Sequence, residues 1–267
     1  MKKMMLALQF LTILPFGSSR RVEDAEIGSS SSWFVPAGLL QGLVLVLTDY
    51  LLAAIFHPDL VIALVILVLV LSNGGFHLDG LADTFDALSV KTTGDIKSDM
   101  EKRLSVMKDS AVGPVGAAAI VFSLALKYLA IKNISHFPDM TYYSLLFMPI
   151  ASKWTVVAGM FQGRSARQNG LGSVFIRETR GKEMIVSTAI FFSLILLISL
   201  LFDKYAPENL FFFSLVALFF LYLFSRLWVL ISDKKFGGLT GDTLGALIEF
   251  ADIIFLFMVI VWSRLFT

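Results

Sequence analysis

Leu60-Val-Ile-Ala-Leu-Val-Ile-Leu-Val-Leu-Val-Leu-Ser-Asn-Gly-Gly75 is an apolar run without a single charge, closed by a polar pair and two glycines. Such a run belongs either in a protein core or in a bilayer. The rest of the chain decides for the bilayer. Of its 267 residues, 57% are hydrophobic and 16% are charged, whereas soluble domains carry about 25% charge. The mean hydropathy is +0.79. Six further apolar segments fit a membrane-helix template: Trp33–Phe56, Val112–Ile131, Tyr142–Met160, Met184–Phe202, Leu210–Ile231 and Ala246–Leu265. The expectation is an all-α, polytopic membrane helix bundle of about seven transmembrane helices, forming one domain over residues 1–267. The run at 60–75 is short for a span. Its helix either continues into the next segment or breaks at Asn73-Gly74-Gly75.

The N-terminal arm, residues 1–32, opens with Lys2 and Lys3 before a short apolar stretch that Pro15 ends. It has no small-x-small cleavage site, so it reads as a retained interfacial helix with both lysines at the headgroups. Basic residues are strongly asymmetric between connections. Lys2, Lys3, Arg20 and Arg21 precede the first span. Lys91, Lys97, Lys102, Arg103 and Lys108 follow the second, Arg164, Arg167, Arg177, Arg180 and Lys182 the fourth, and Lys234 with Lys235 the sixth. The alternate connections hold little beyond Lys132 and Lys204, with Arg264 near the end. The asymmetry predicts seven spans, the N-terminus in the cytoplasm and the C-terminus outside. All polar motifs then share the cytoplasmic side.

The most telling motif follows the short span directly: Phe76-His-Leu-Asp-Gly-Leu-Ala-Asp-Thr-Phe-Asp86. Asp79, Asp83 and Asp86 stand four and three apart, on one helical face. Like charges there repel, and a hard divalent cation that leaves positions for phosphate would relieve them. A solvated polar face past a membrane helix is the plain alternative. Residues 76–111 are expected to form a cytoplasmic catalytic loop. Within it, Met107-Lys-Asp-Ser-Ala-Val-Gly-Pro-Val-Gly116 leads into the third span, with Pro114 suited to a first helical turn and Lys108 beside a helix N-terminus that could take phosphate. Arg164-Ser-Ala-Arg-Gln-Asn-Gly-Leu-Gly172 offers guanidinium groups on a glycine-rich turn, a phosphate grip or a topology signal. Lys153 lies inside the fourth apolar segment, where a cation is costly and faces the protein interior. Gly237-Gly-Leu-Thr-Gly-Asp-Thr-Leu-Gly-Ala246 sets Asp242 among glycines just before the last span, and Glu249 and Asp252 share its face if that helix starts early.

Composition also excludes. With no cysteine, disulfides, iron–sulfur clusters and thiolate zinc sites are ruled out, and three histidines cannot build a histidine cage. No basic, aromatic-interleaved patch points to nucleic acid.

These motifs, in this order, resemble the cobalamin synthases, the adenosylcobinamide-GDP ribazoletransferases of cobamide nucleotide-loop assembly. The resemblance rests on Leu8-Gln-Phe-Leu-Thr12, on the His-x-Asp-Gly-x-Ala-Asp-x-x-Asp core from His77 to Asp86, and on Met107-Lys-Asp-Ser110 with Gly113 and Gly116. It continues through Lys153, Arg167 with Gly170-Leu-Gly172, and Thr240-Gly-Asp-Thr-Leu-Gly-Ala246. Ile13 and Lys153 depart from it, standing where the family has arginine. The resemblance implies transfer of the adenosylcobinamide phosphate moiety from adenosylcobinamide-GDP to α-ribazole or its 5′-phosphate, with release of GMP, at a multi-pass inner membrane. It implies Mg²⁺ held by Asp79, Asp83 and Asp242, and substrate phosphates held by Lys108, Lys153 and Arg167. Asp86 is a further ligand or the base for the attacking hydroxyl, and His77 is the rival base. Self-association, or assembly with other nucleotide-loop enzymes, is a further expectation. The sequence leaves two other readings: a CDP-alcohol type phosphotransferase, whose Asp-Gly-x-x-Ala-Arg pattern this chain lacks, and an ion-coupled transporter, which would show inverted repeats and midplane carboxylates.

Overall fold

In the computed structural model the described residues are 2–13, 22–202 and 210–266. Pro15, Arg20, Arg21 and Lys204 lie outside them. Among the described residues, regular structure is helical apart from one backbone bridge pairing Ser165 with Leu239. The first helix, α1 (Lys2–Leu11), turns Ala7, Leu8 and Leu11 inward and leaves both lysines exposed. A short α2 (Asp24–Ser30) and a 3₁₀ turn lead into α3 (Phe34–Ala53).

Then come α4 (Pro58–Ser72), α5 (Phe76–Ser89) and α6 (Ile96–Val106). They are followed by α7 (Pro114–Ile134), α8 (Pro138–Gln162) and α9 (Leu171–Glu178). The chain closes with α10 (Gly181–Phe202), α11 (Leu210–Phe236) and α12 (Gly241–Phe266). The protein is a multi-pass membrane protein. Six helices are long and apolar enough to cross a membrane, and the α4–α5 pair makes a seventh if counted as one span.

Burial identifies the centre. The apolar window of α8 is 94% buried, against 28% for α10. α8 is therefore the axis, and the other spans ring it with Leu, Val and Phe turned outward, among them Leu43, Leu47, Phe122, Leu196 and Phe220. Such outward side chains suit lipid, which needs no polar covering. α3 lies closest to the axis because Gly38 and Gly42 admit the carbonyls of Pro149 and Leu146, where a Cβ would collide.

The two ends of the bundle differ. At one end Asp59, the first turn of α4, pairs with Lys132 at 2.7 Å, and Arg264 reaches Asn133 at 3.4 Å. At the other end the start of α12 meets α5 and α9, and α1 lies against Phe34 and Phe175. α4 runs from the first end to the second, where the Ser72 carbonyl accepts the Ile13 N–H just past α1 at 3.1 Å.

The apolar run breaks, as one of the two expectations had it. α5 bends from α4 by 84° at Asn73-Gly74-Gly75. Gly74 and Gly75 take φ of 64° and 76°, a region that favours glycine. The Asn73 side chain braces the turn, donating to the Leu69 carbonyl at 3.0 Å and accepting from the Gly75 N–H at 3.0 Å. α5 thus leaves the spans and lies across the end of the bundle. The segment expected as a loop over 76–111 is instead two helices with a short connection. In that connection Thr93 donates its backbone N–H and hydroxyl to Asp99, holding the Asp99 carboxyl below the usual carboxylate range.

Candidate active site

Close backbone contact joins α5 to α12. A Cβ on Gly80 would stand 2.7 Å from the Asp242 carbonyl oxygen, and one on Gly245 would stand 3.3 Å from the His77 backbone. Only glycine lets the helices approach this far. The contact sets Asp242, in the first turn of α12, beside the Asp79–Asp83 face of α5. Thr240 and Thr243 cap α12 reciprocally, each accepting the other's backbone N–H, at 2.8 and 3.1 Å. The last helix begins five residues before the expected Ala246, so Asp242, Glu249 and Asp252 ride on one helix.

Arg167 arrives from the opposite loop. The backbones of Arg164 and Ala166 pair with Leu239 at 2.7 and 2.8 Å, fastening the arginine loop to the loop that precedes Asp242. The Arg167 carbonyl accepts from Ser165 and Ser173 hydroxyls at 2.7 and 2.6 Å. The guanidinium then meets Asp242 at 3.2 Å. Its Nε and Nη2 are buried with no hydrogen-bond partner. Two unsatisfied donors on a fixed cation are a place for an anion.

The carboxylates differ in their surroundings. Asp79 is exposed, while Asp83, Asp86 and Asp242 are half-buried. Burial, then the neighbouring Asp79, Asp242 and Asp86, push the Asp83 carboxyl up to about 7, with Arg167 opposing. Asp86 has a different task. Its two oxygens accept the backbone N–H groups of Gly113 and Gly116 at 2.7 and 2.8 Å. A carboxylate at this helix N-terminus is stabilised by the orphan donors and the helix dipole. Asp86 therefore caps α7, and both its oxygens are engaged, which argues against its taking a proton from substrate. The donor chemistry of Asp79, Asp83 and Asp242 fits a hard cation. Among the described residues, however, no three acidic or histidine groups are arranged to hold a metal ion as they stand.

A family description, cobalamin-5-phosphate synthase, matches residues 3–260. The chain is 34% identical to the adenosylcobinamide-GDP ribazoletransferase of Thermodesulfovibrio yellowstonii over 264 residues, 98% of this chain and 97% of that one. It is 35% identical to the enzyme of that name from Geotalea daltonii over 252 residues, 93% of each, and 32% identical to that of Clostridium tetani over 242 residues, 91% and 89%. The chain belongs to the cobalamin-5-phosphate synthase family. It is a membrane transferase. No solved structure matches it.

Two residues sit apart from the cluster they were expected to join. Lys108 is exposed on the α6–α7 connection, at the rim. Lys153 is 2% exposed, deep in α8. α8 and α12 run antiparallel, with Gly159 against Leu247 and Gly163 against Leu239, which puts Lys153 near Asp252 rather than Asp242. The charges acting on it are those of Asp252, Lys127 and Glu249. The helical rise over the ten residues from Asp242 to Asp252 is about 15 Å, so Lys153 does not reach the α5 carboxylates. His77 is buried against Gly245, on the α12 side of α5.

Sequence reasoning passed over Lys127. It lies buried at the centre of the third span, with Nζ 2.9 Å from both Glu249 and Asp252, and Ser123 donates to Glu249 at 2.6 Å. The signal was a lysine inside an apolar segment, the same cue that singled out Lys153.

Proposed function

We propose that this chain joins α-ribazole, or its 5′-phosphate, to adenosylcobinamide-GDP. The ribose hydroxyl forms a new bond to the phosphorus on the cobinamide side. The phosphoanhydride bond breaks, GMP departs with the bridging oxygen, and the hydroxyl proton passes to an acceptor. The observation that carries this reading is Arg167: a half-buried guanidinium with two buried, unpartnered donors, fastened beside a cluster of four carboxylates at the end of a membrane bundle. Such transfers depend on positioning and charge neutralisation. Arg167 would grip a diphosphate oxygen while Lys108, on the rim, meets the outer phosphate. Lys153 supports the bundle and is not assigned to substrate. Asp79, Asp83 and Asp242 would hold Mg²⁺, which supplies charge neutralisation at the diphosphate when bound.

Asp86 holds the start of α7 against α5 with both oxygens engaged. His77, the other candidate, is buried, and burial with the charges of Lys153 and Lys127 holds its imidazole well below the usual histidine range, so neither is assigned the proton. The site end faces the cytoplasm of an inner-membrane protein, because the basic connections gather there and nucleotides are available there. Glu249 and Asp252, the midplane carboxylates a transporter would need, are occupied by Lys127.

Purified protein in detergent, given both substrates with Mg²⁺, is expected to release GMP. Omission of the ribazole substrate is expected to stop the release. GMP formed equally well without it would mean hydrolysis and would refute transfer.

A further inference from the structure

Lys127, Glu249 and Asp252 are each 2% exposed, in the middle of a membrane bundle. Buried ion pairs rarely add stability, since desolvation offsets their attraction. Their best-attested use is to fix the register of packed helices. The contacts here suit that use. Lys127 on α7 bridges two residues of α12, one turn apart. α7 is in turn fixed to α5 by Asp86, through Gly113 and Gly116. α5 and α12 meet at Gly80 and Gly245. Three helices are thus joined pairwise, and Asp79, Asp83 and Asp242 lie on two of them.

We propose that Lys127 is a positioning residue for the transfer reaction. By pinning α12 to α7 it fixes the height of Asp242 against Asp79 and Asp83, from about 15 Å deeper in the bundle. The slide it prevents is along the α12 axis. That slide would carry Asp242 past α5 while leaving every helix intact. The inference rests on the proposed function for its kinetic consequence, but its geometric content stands alone.

The test uses Lys127→Met/Glu249→Gln. This double variant removes the bridge and leaves Asp252 facing Lys153, so the remaining buried charges balance. Its thermal midpoint is expected to stay near the parent's, because replacing buried ion pairs by neutral groups is often neutral for stability. Its kcat for GMP release is expected to fall about 100-fold, the cost of misplacing a catalytic group by roughly 1 Å, with KM for adenosylcobinamide-GDP unchanged. Lys127→Arg keeps a donor for both carboxylates and is expected to restore kcat.

A geometric readout uses the absence of native cysteine. Phe85 and Phe250 have ring centroids 5.9 Å apart across α5 and α12, away from the carboxylate face. Cysteines at these two positions are expected to cross-link with a short bis-reactive thiol reagent in the parent, and to lose the cross-link in the double variant. A folded double variant that cross-links and turns over like the parent would overturn the proposal, as would an arginine variant as impaired as the double. The cross-link reads the inference even if the parent released no GMP, a result that would overturn the proposed reaction alone.

Discussion

Asp83 works against the fold that carries it. Folding raises its pKa to about 7, through burial and three neighbouring carboxylates. A carboxyl raised in this way supports the folded state fully at acid pH, and that support is lost as pH rises from the ordinary carboxylate range through about 7. Above that range the fold holds the repulsion. Asp83→Asn is therefore expected to raise the thermal midpoint in chelator at pH 8 while abolishing turnover in Mg²⁺. A lower midpoint there would contradict the crowding. Arg167 makes the opposite case. Arg167→Lys keeps the charge but loses the planar fork, and kcat/KM is expected to fall at least about tenfold. An unchanged value in steady-state GMP release would place the phosphate elsewhere.

The face shared by Asp79, Asp83 and Asp86 was legible because helical spacing is local. The capping task of Asp86 was not, because its partners Gly113 and Gly116 come from the next helix but one and only the tertiary fold brings them near. Lys153 was legible as a buried cation but not as to its neighbours. Its level is set by which residues of α8 and α12 face each other.

At the scale of elements, the break between α4 and α5 decides whether the carboxylates stand at the end of the bundle or inside it. Sequence named the break point and left its occurrence open. The positive φ of Gly74 and Gly75 and the Asn73 brace settle it. The early start of α12 depended on the reciprocal Thr240–Thr243 cap, a local signal hidden among glycines. The contact between Gly80 and Asp242 gives a sharp test. In Gly80→Ala the added methyl meets the Asp242 carbonyl at 2.7 Å, so α12 must shift. Circular dichroism is expected to show unchanged helix content, with GMP release reduced by about 10-fold or more. Parent-like turnover would mean that this close approach does not set the site.

For the whole molecule, hydropathy predicted the bundle well, because each span is long enough to declare itself. Only α4, shorter than a usual span, needed the structure. Its first turn lies at the Arg264 end of the bundle and its last turn beside the end of α1, so α1 and the last turn of α12 lie at opposite ends. With no native cysteine to interfere, single cysteines report sidedness directly. Lys91→Cys is expected to label only when an impermeant thiol reagent reaches the cytoplasmic face, and His57→Cys only from outside. Reversed labelling would overturn the orientation.

The proposed transfer site needs both α5 and α12. This is tested most directly by the initial rate of GMP formation from adenosylcobinamide-GDP and α-ribazole 5′-phosphate in Mg²⁺, measured for the parent and for Asp242→Asn at matched membrane insertion. Stoichiometric GMP and cobamide product from the parent, with neither from the variant, is the predicted result. Equal rates from the two proteins would contradict it.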